Sequence, residues 1–427
     1  MSVRVLVTCL MAGAMTAALI PAAVSAQSAA APKAKAAAQP KAAATNEIPG
    51  KETPKLYNGF VQKKNFFGQP DLSGAWTNGS LTPLSRPATY QGRLVLTPQE
   101  VATLEGDEAQ SRVAADAPTP VGFTVADLPF SCGRGFSGVG CGYNGGFTDP
   151  GSTVTRVHGE PRSSYITYPA TGTVPAAKST APVASFQAAG EGDGEGTPGA
   201  AARGGRGGGA PAAGRGGGAP GGAPAAGRGG AGAPGGGRGG PPVANNNDPE
   251  SRGLAERCLT SFGQSAGPIM QPQLYNNNYR ISQGKDSVAI WVEMVHDVRV
   301  VRLTDKHRTD GVRPWWGDSI GHYEGNTLVV ETSNYHPQNR ISGRSATDLL
   351  MTERFTRVAN DRLLYQFNVH SPANWEQDWG GEYEFAASPG IYEYACHEGN
   401  YALEGILAGN LAALTGNANA GIRPAGQ

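Results

Sequence analysis

The densest group of side chains able to do chemistry falls between positions 318 and 331: Asp318, Ser319, His322, Glu324 and Glu331. A histidine beside carboxylates can serve as a general base, and a serine in its reach could act as a nucleophile. A hairpin with strands near 318–324 and 326–333 would bring His322 close to Glu331 or a neighbour. Strand alternation separates Ser319 from Asp318 and, depending on register, sets it on the face of Glu331. His322, Glu324, Glu331 and Ser319 are therefore the candidate catalytic residues. Gly317-Asp318-Ser319-Ile320-Gly321 matches the hydrolase pattern Gly-x-Ser-x-Gly only superficially. The genuine elbow turns from strand into helix, whereas Gly325-Asn326 promises a hairpin.

Metal chemistry needs converging imidazoles and carboxylates. The seven histidines are His158, His296, His307, His322, His336, His370 and His397, scattered without a His-x-His or His-Glu-x-x-His pattern. No metal and no cofactor is expected. Trp291, Trp315, Trp316, Trp375 and Trp379 crowd one region. Such rings cover a core, or they line a pocket for an apolar or carbohydrate ligand. The ligand-binding set on the second reading is Trp316, Asp318, His322, Glu324 and Arg354, with Glu353-Arg354 as an internal ion pair closing the structure.

The elements that must position these residues are strands. Val288, Ile290, Val292 and Met294 alternate, Val298 and Val300 follow a turn at His296-Asp297, and Leu363, Tyr365, Phe367 and Val369 keep a strict period of two. Strands recurring at short intervals with hairpin turns predict a mainly β fold, an antiparallel meander forming a barrel-like or sandwich domain. A few short helices accompany it. Thr97-Pro98-Gln99-Glu100 reads as a helix start, with Val101 and Leu104 on the buried stripe. Leu403, Ile406, Leu407, Leu411 and Leu414 share one face of a C-terminal helix.

Composition sets the frame. The 427 residues include 62 Gly and 32 Pro, and Lys+Arg 35 balances Asp+Glu 35. With no net charge, no global field recruits nucleic acid or anionic lipid. Arg4, the apolar run from Val5, Pro21 and Val24-Ser25-Ala26 read as a signal peptide at 1–26, so a periplasmic or secreted protein is expected. Beyond it no apolar run approaches the length of a transmembrane helix. Low-complexity stretches predict a disordered leader at 27–56, a Gly/Ala/Pro/Arg-rich insertion at 183–248 and a tail at 416–427. The foldable parts are 57–182 and 249–415, read as one domain. Without Cys9, Cys132, Cys141, Cys258 and Cys396 remain, an even number that suggests two disulfides with three possible connectivities. Cys132 and Cys141 bracket a glycine-rich loop able to close a short ring; Cys258 and Cys396 would then join the ends of the C-terminal part.

Several motifs carry a resemblance. They are Pro70-Asp71-Leu72-Ser73-Gly74-Ala75-Trp76, the run from Trp316 to Thr332, Thr352-Glu353-Arg354-Phe355, and Tyr392-Glu393-Tyr394-Ala395-Cys396-His397-Glu398-Gly399-Asn400-Tyr401. Together they resemble a family of exported bacterial proteins for which no reaction is established, so the resemblance implies no catalytic residues. Gly74-Ala75-Trp76 also resembles the Gly-x-Trp of calycins, the lipocalin-like barrels, which implies a late arginine such as Arg354 packed over the indole.

These observations lead to an exported β-rich protein that binds a small apolar or aromatic ligand in a barrel-like cavity. A hydrolase or isomerase built on His322, and an envelope-associated structural or interaction protein, are the alternatives.

Overall fold

The computed structural model describes residues 48–50, 52–115, 149–178, 249, 252–261, 267, 269–398, 400, 401 and 403–408. The expected signal peptide, most of the leader, the 183–248 insertion, Cys132, Cys141, Leu411, Leu414 and the 416–427 tail lie outside these residues.

The strands are β1 (Gly74–Thr77), β2 (Arg156–Val157), β3 (Glu160–Pro161), β4 (Ile166–Tyr168), β5 (Asn278–Gln283), β6 (Ser287–Val292) and β7 (Val298–Arg302). They continue as β8 (Asp318–Glu324), β9 (Thr327–Ser333), β10 (Arg340–Ile341), β11 (Arg344–Ser345), β12 (Leu350–Ala359), β13 (Arg362–His370) and β14 (Trp379–Ala387). Nine of them close into a barrel in the order β1-β5-β6-β7-β8-β9-β12-β13-β14, with β14 returning to β1 and β4 added along β14. A ring with an odd number of strands cannot alternate in direction all the way round. The mismatch falls at β7 and β8, which pair in parallel through Val301↔Ser319 and Arg302↔Ile320, while the other neighbours in the ring are antiparallel. The β14–β1 closure is equally short, with Trp76↔Ala387 and Thr77↔Ala386.

Register fixes what points inward. Tyr279, Ile281, Val288, Ile290, Val330, Met351, Phe355, Leu363, Tyr365, Phe367, Val369, Tyr383 and Phe385 fill the barrel, each no more than 2% exposed. Fully burying a side chain of this kind contributes about 1.5–3 kcal/mol, so this interior supplies the main stabilisation. The strict alternation of Leu363, Tyr365, Phe367 and Val369 thus marks the inner face of β13.

Both parts of the chain build this one sheet, because β1 of the N-terminal part sits between β5 and β14. Cys258 and Cys396 form a disulfide with Cα atoms 5.9 Å apart. The one long helix among the described residues, α1 (Pro98–Ala115), starts at a reciprocal capping box: Thr97 N–H donates to Glu100 Oε2 at 2.8 Å, and Glu100 N–H donates to Thr97 Oγ1 at 3.3 Å. Val101 and Leu104 then pack on Leu81, Leu96 and Val154. Arg93 clasps the same carboxylate, and this ion pair, opposed by some burial, holds Glu100 down at about 2. Leu56 and Tyr57 pack on Val358 and Leu364 of the barrel and on Val157 of β2. Helical backbone is present at Tyr401 and over 403–408.

Candidate functional site

The β8–β9 hairpin forms as the turn at Gly325-Asn326 dictates, pairing Glu324 with Thr327. Its two faces divide the candidate residues. Ser319, Gly321 and Tyr323 lie on the inner face, as their partners Thr332, Val330 and Leu328 do, while Asp318, Ile320, His322 and Glu324 lie on the outer one. Ser319 is 5% exposed and its hydroxyl shares a 2.8 Å hydrogen bond with Thr332 Oγ1. It is therefore separated by the wall from Glu331 and from every imidazole of the outer face. The expected nucleophile–base arrangement is not assembled.

His322 does not reach Glu331 either. Its Nε2 lies 3.1 Å from Glu324 Oε1 on the outer wall, and Arg354 donates to Glu324 Oε2 at 2.6 Å. The Arg354 guanidinium, then His322, holds the Glu324 carboxyl below its ordinary range. Glu331 instead takes His307 as partner, at 3.1 Å from Nε2, while His307 Nδ1 stands 2.9 Å from Asp318 Oδ2. Asp318 is the anchor of this cluster. Arg302 reaches both its oxygens at 2.9 and 3.0 Å, and Arg308 N–H donates at 2.8 Å. Burial pushes the Asp318 carboxyl up, but the Arg308 amide, His307 and Arg302 outweigh it and leave it lowered. His307 thereby fastens the 303–317 connection against β8 and β9. Nothing in the local sequence marks His307, because its partners come together only through the hairpin register.

The five residues expected to line a cavity share no interior. Trp316 packs at the margin of the core and donates from Nε1 to Asp297 Oδ2 at 2.7 Å. Burial raises the Asp297 carboxyl despite that bond. Asp318, His322, Glu324 and Arg354 sit on the outer wall in two separate clusters. The expected Glu353-Arg354 ion pair does not form. Adjacent strand residues face opposite ways, so Glu353 points inward alone and meets Arg299 of β7. Arg299 donates from one terminal nitrogen to Glu353 Oε1 at 3.1 Å and from the other to Oε2. Tyr365 adds its hydroxyl at 2.9 Å. Burial, then Glu353, raises the Tyr365 phenol well above its usual range, so it remains a hydrogen donor. The arginine over the Trp76 indole is Arg357, 5.1 Å from the ring centroid, rather than Arg354.

No chamber remains among the described residues at mid-barrel. A void wide enough for water would leave accessible surface on the side chains around it, yet Val288, Ile290, Leu328, Val330, Met351, Phe355 and Tyr365 have 0%. One small cleft lies away from the barrel interior, lined by Leu81, Tyr90, Leu96, Leu104, Arg162 and Ser163 among others. Its volume of about 20 Å³ holds a water molecule but no organic ligand. Among the described residues no group of three or more His, Cys, Asp or Glu converges as a metal would require. No helix of these residues is long and apolar enough to cross a membrane.

The outer wall also exposes apolar side chains. On β6 and β7, Trp291 lies directly opposite Val298, and Ala289 opposite Val300. Trp291 is 39% exposed, Val298 52% and Val300 54%. Arg280 of β5 flanks Trp291 on the same face. Large apolar side chains normally turn inward, whereas these three lie exposed together on neighbouring strands. No protein family, no curated protein and no solved structure matches the chain.

Proposed function

We propose that this chain is an exported binding protein that takes a small apolar or aromatic ligand on the outer wall of its barrel. The observation that carries the reading is the pairing of a filled interior with the exposed Trp291–Val298–Val300 surface. A ligand inside the barrel would have to displace close-packed aromatic side chains and the Arg299–Glu353 pair, at a cost no small molecule repays. Against β6 and β7, a flat ring stacks on the Trp291 indole and covers both valines.

The surface is open, so affinity should be modest, with Kd on the order of 0.1–1 mM. Titrating aromatic probes while following tryptophan fluorescence tests the reading. Trp291→Ala should abolish binding and leave the melting temperature unchanged. Binding that survives this change, or that fails instead on substitution of Phe367 or Tyr365, refutes it.

The place of these residues on the outside of a closed barrel favours one second reading, an envelope-associated interaction protein, since small molecules prefer concave sites. Under that reading no small probe perturbs the fluorescence, and the same wall is buried by a protein.

A further inference from the structure

We propose that a second surface, the hairpin tip at Phe66-Phe67, docks this protein on a bilayer bearing anionic headgroups. The inference is independent of what the β6–β7 wall binds.

The tip is a built object. Asn65 N–H donates to the Gln69 carbonyl at 2.8 Å, and Gly68 N–H to the Asn65 carbonyl at 3.0 Å. The Asn65 side-chain oxygen accepts from Phe67 N–H at 2.9 Å and Gln69 N–H at 3.0 Å, and its Nδ2 donates to Gln69 Oε1 at 2.8 Å. Gly68 supplies the positive φ of +79° that the turn needs. Below the turn, Lys64 bridges Pro70 and Asp71 N–H donates to the Lys63 carbonyl. Gln69 Nε2 then ties the tip to the β5–β6 turn through the Gly284 and Lys285 carbonyls, both at 3.1 Å.

Apolar side chains around this scaffold stand in water. Phe66 is 96% exposed, Phe67 44% and Val61 78%. The two phenyl rings meet edge to face, 5.5 Å apart. An ordered turn that holds aromatic rings out in water gains nothing from them until they are buried elsewhere.

The surrounding charge selects the partner. Lys63 and Lys64 precede the rings, and Lys285 lies in the turn to which the tip is tied; all three are exposed. Asp286 beside Lys285 and Asp71 at the base are the nearby acids in sequence, and the Asp71 carboxylate is engaged by Ser73 N–H at 3.0 Å. Lysine is depleted at protein interfaces, whereas lysines around protruding aromatic rings suit a layer of acidic headgroups over acyl chains. The chain's overall neutrality does not oppose this, because the attraction acts within about 10 Å of the surface at ordinary ionic strength.

The test uses the full chain and co-sedimentation with vesicles of equal parts phosphatidylcholine and phosphatidylglycerol, against pure phosphatidylcholine. The wild type should bind the acidic vesicles preferentially and release them as salt is raised. F66S/F67S should lower binding about tenfold or more, and K63Q/K64Q should remove most of the salt-sensitive part. Thermal unfolding should be unchanged in both variants, as these side chains are solvated. Absence of wild-type binding to acidic vesicles, or undiminished binding by F66S/F67S, overturns the proposal. So does self-association in sedimentation velocity that F66S/F67S abolishes, which would make the tip a contact between copies of the chain.

Discussion

Two consecutive residues of β12, Glu353 and Arg354, each hold a carboxylate–guanidinium pair, one inside the barrel and one on its wall. The inner pair, Glu353 with Arg299, is 0% and 2% exposed; the outer pair, Arg354 with Glu324, is 16% and 49% exposed. Identical chemistry has opposite energetic meaning in the two places. Inside, both ions have lost their hydration, and their mutual bonds together with the Tyr365 hydroxyl offset that loss without a large surplus. Outside, water screens the attraction, and the pair contributes little. The inner pair therefore specifies the structure more than it stabilises it, because either ion alone is intolerable there.

The largest effect should come from breaking the inner pair. Glu353→Gln strands the Arg299 charge in the core and should cost about 3–5 kcal/mol in denaturant unfolding. A loss below about 1 kcal/mol would show that the charge is neutralised by other means. Next, the double replacement Arg299→Met with Glu353→Leu removes both ions and should recover most of that loss, since apolar residues of similar volume often match a buried pair. A double variant as unstable as Glu353→Gln would show that the pair is a net stabiliser. The smallest effect belongs to the outer pair. Arg354→Ala should cost about 0–1 kcal/mol, and high salt should erase the difference. Its pH dependence has a definite sign. The folded Glu324 carboxyl is lowered, so its contribution is present above the ordinary carboxylate range and disappears as pH falls through the folded value. In Arg354→Ala, the Glu324 titration followed by NMR should move up.

Much of the wall was legible because apolar residues alternate wherever only one face is wet. The β13 residues from Leu363 to Val369 and the capping box at Thr97 needed no tertiary information. β7 shows where this fails. Its alternation suggests Val298 and Val300 as the buried set, yet Arg299 and Val301 face inward and both valines are exposed. Slipping a strand by one residue exchanges its faces, and the register observed here sets Arg299 against Glu353. Strand parity sets adjacent Glu353 and Arg354 on opposite faces, so the internal pair expected between them could not form. The partners Arg299 and His307 were beyond reach, because each meets its carboxylates only after the sheet has closed.

The two shortest pairings of the ring, β7–β8 and β14–β1, have two residue pairs each, against four to nine at the other junctions. They divide the wall into two shells, one of β1, β5, β6 and β7 and the other of β8, β9, β12, β13 and β14. Backbone bonding makes each shell stiff but joins them only along thin edges. Arg299 stands on the first and Glu353 on the second, as do Trp76 and Arg357, and Gln283 and Tyr323. These side chains are struts: they carry across the middle the load that the edges cannot.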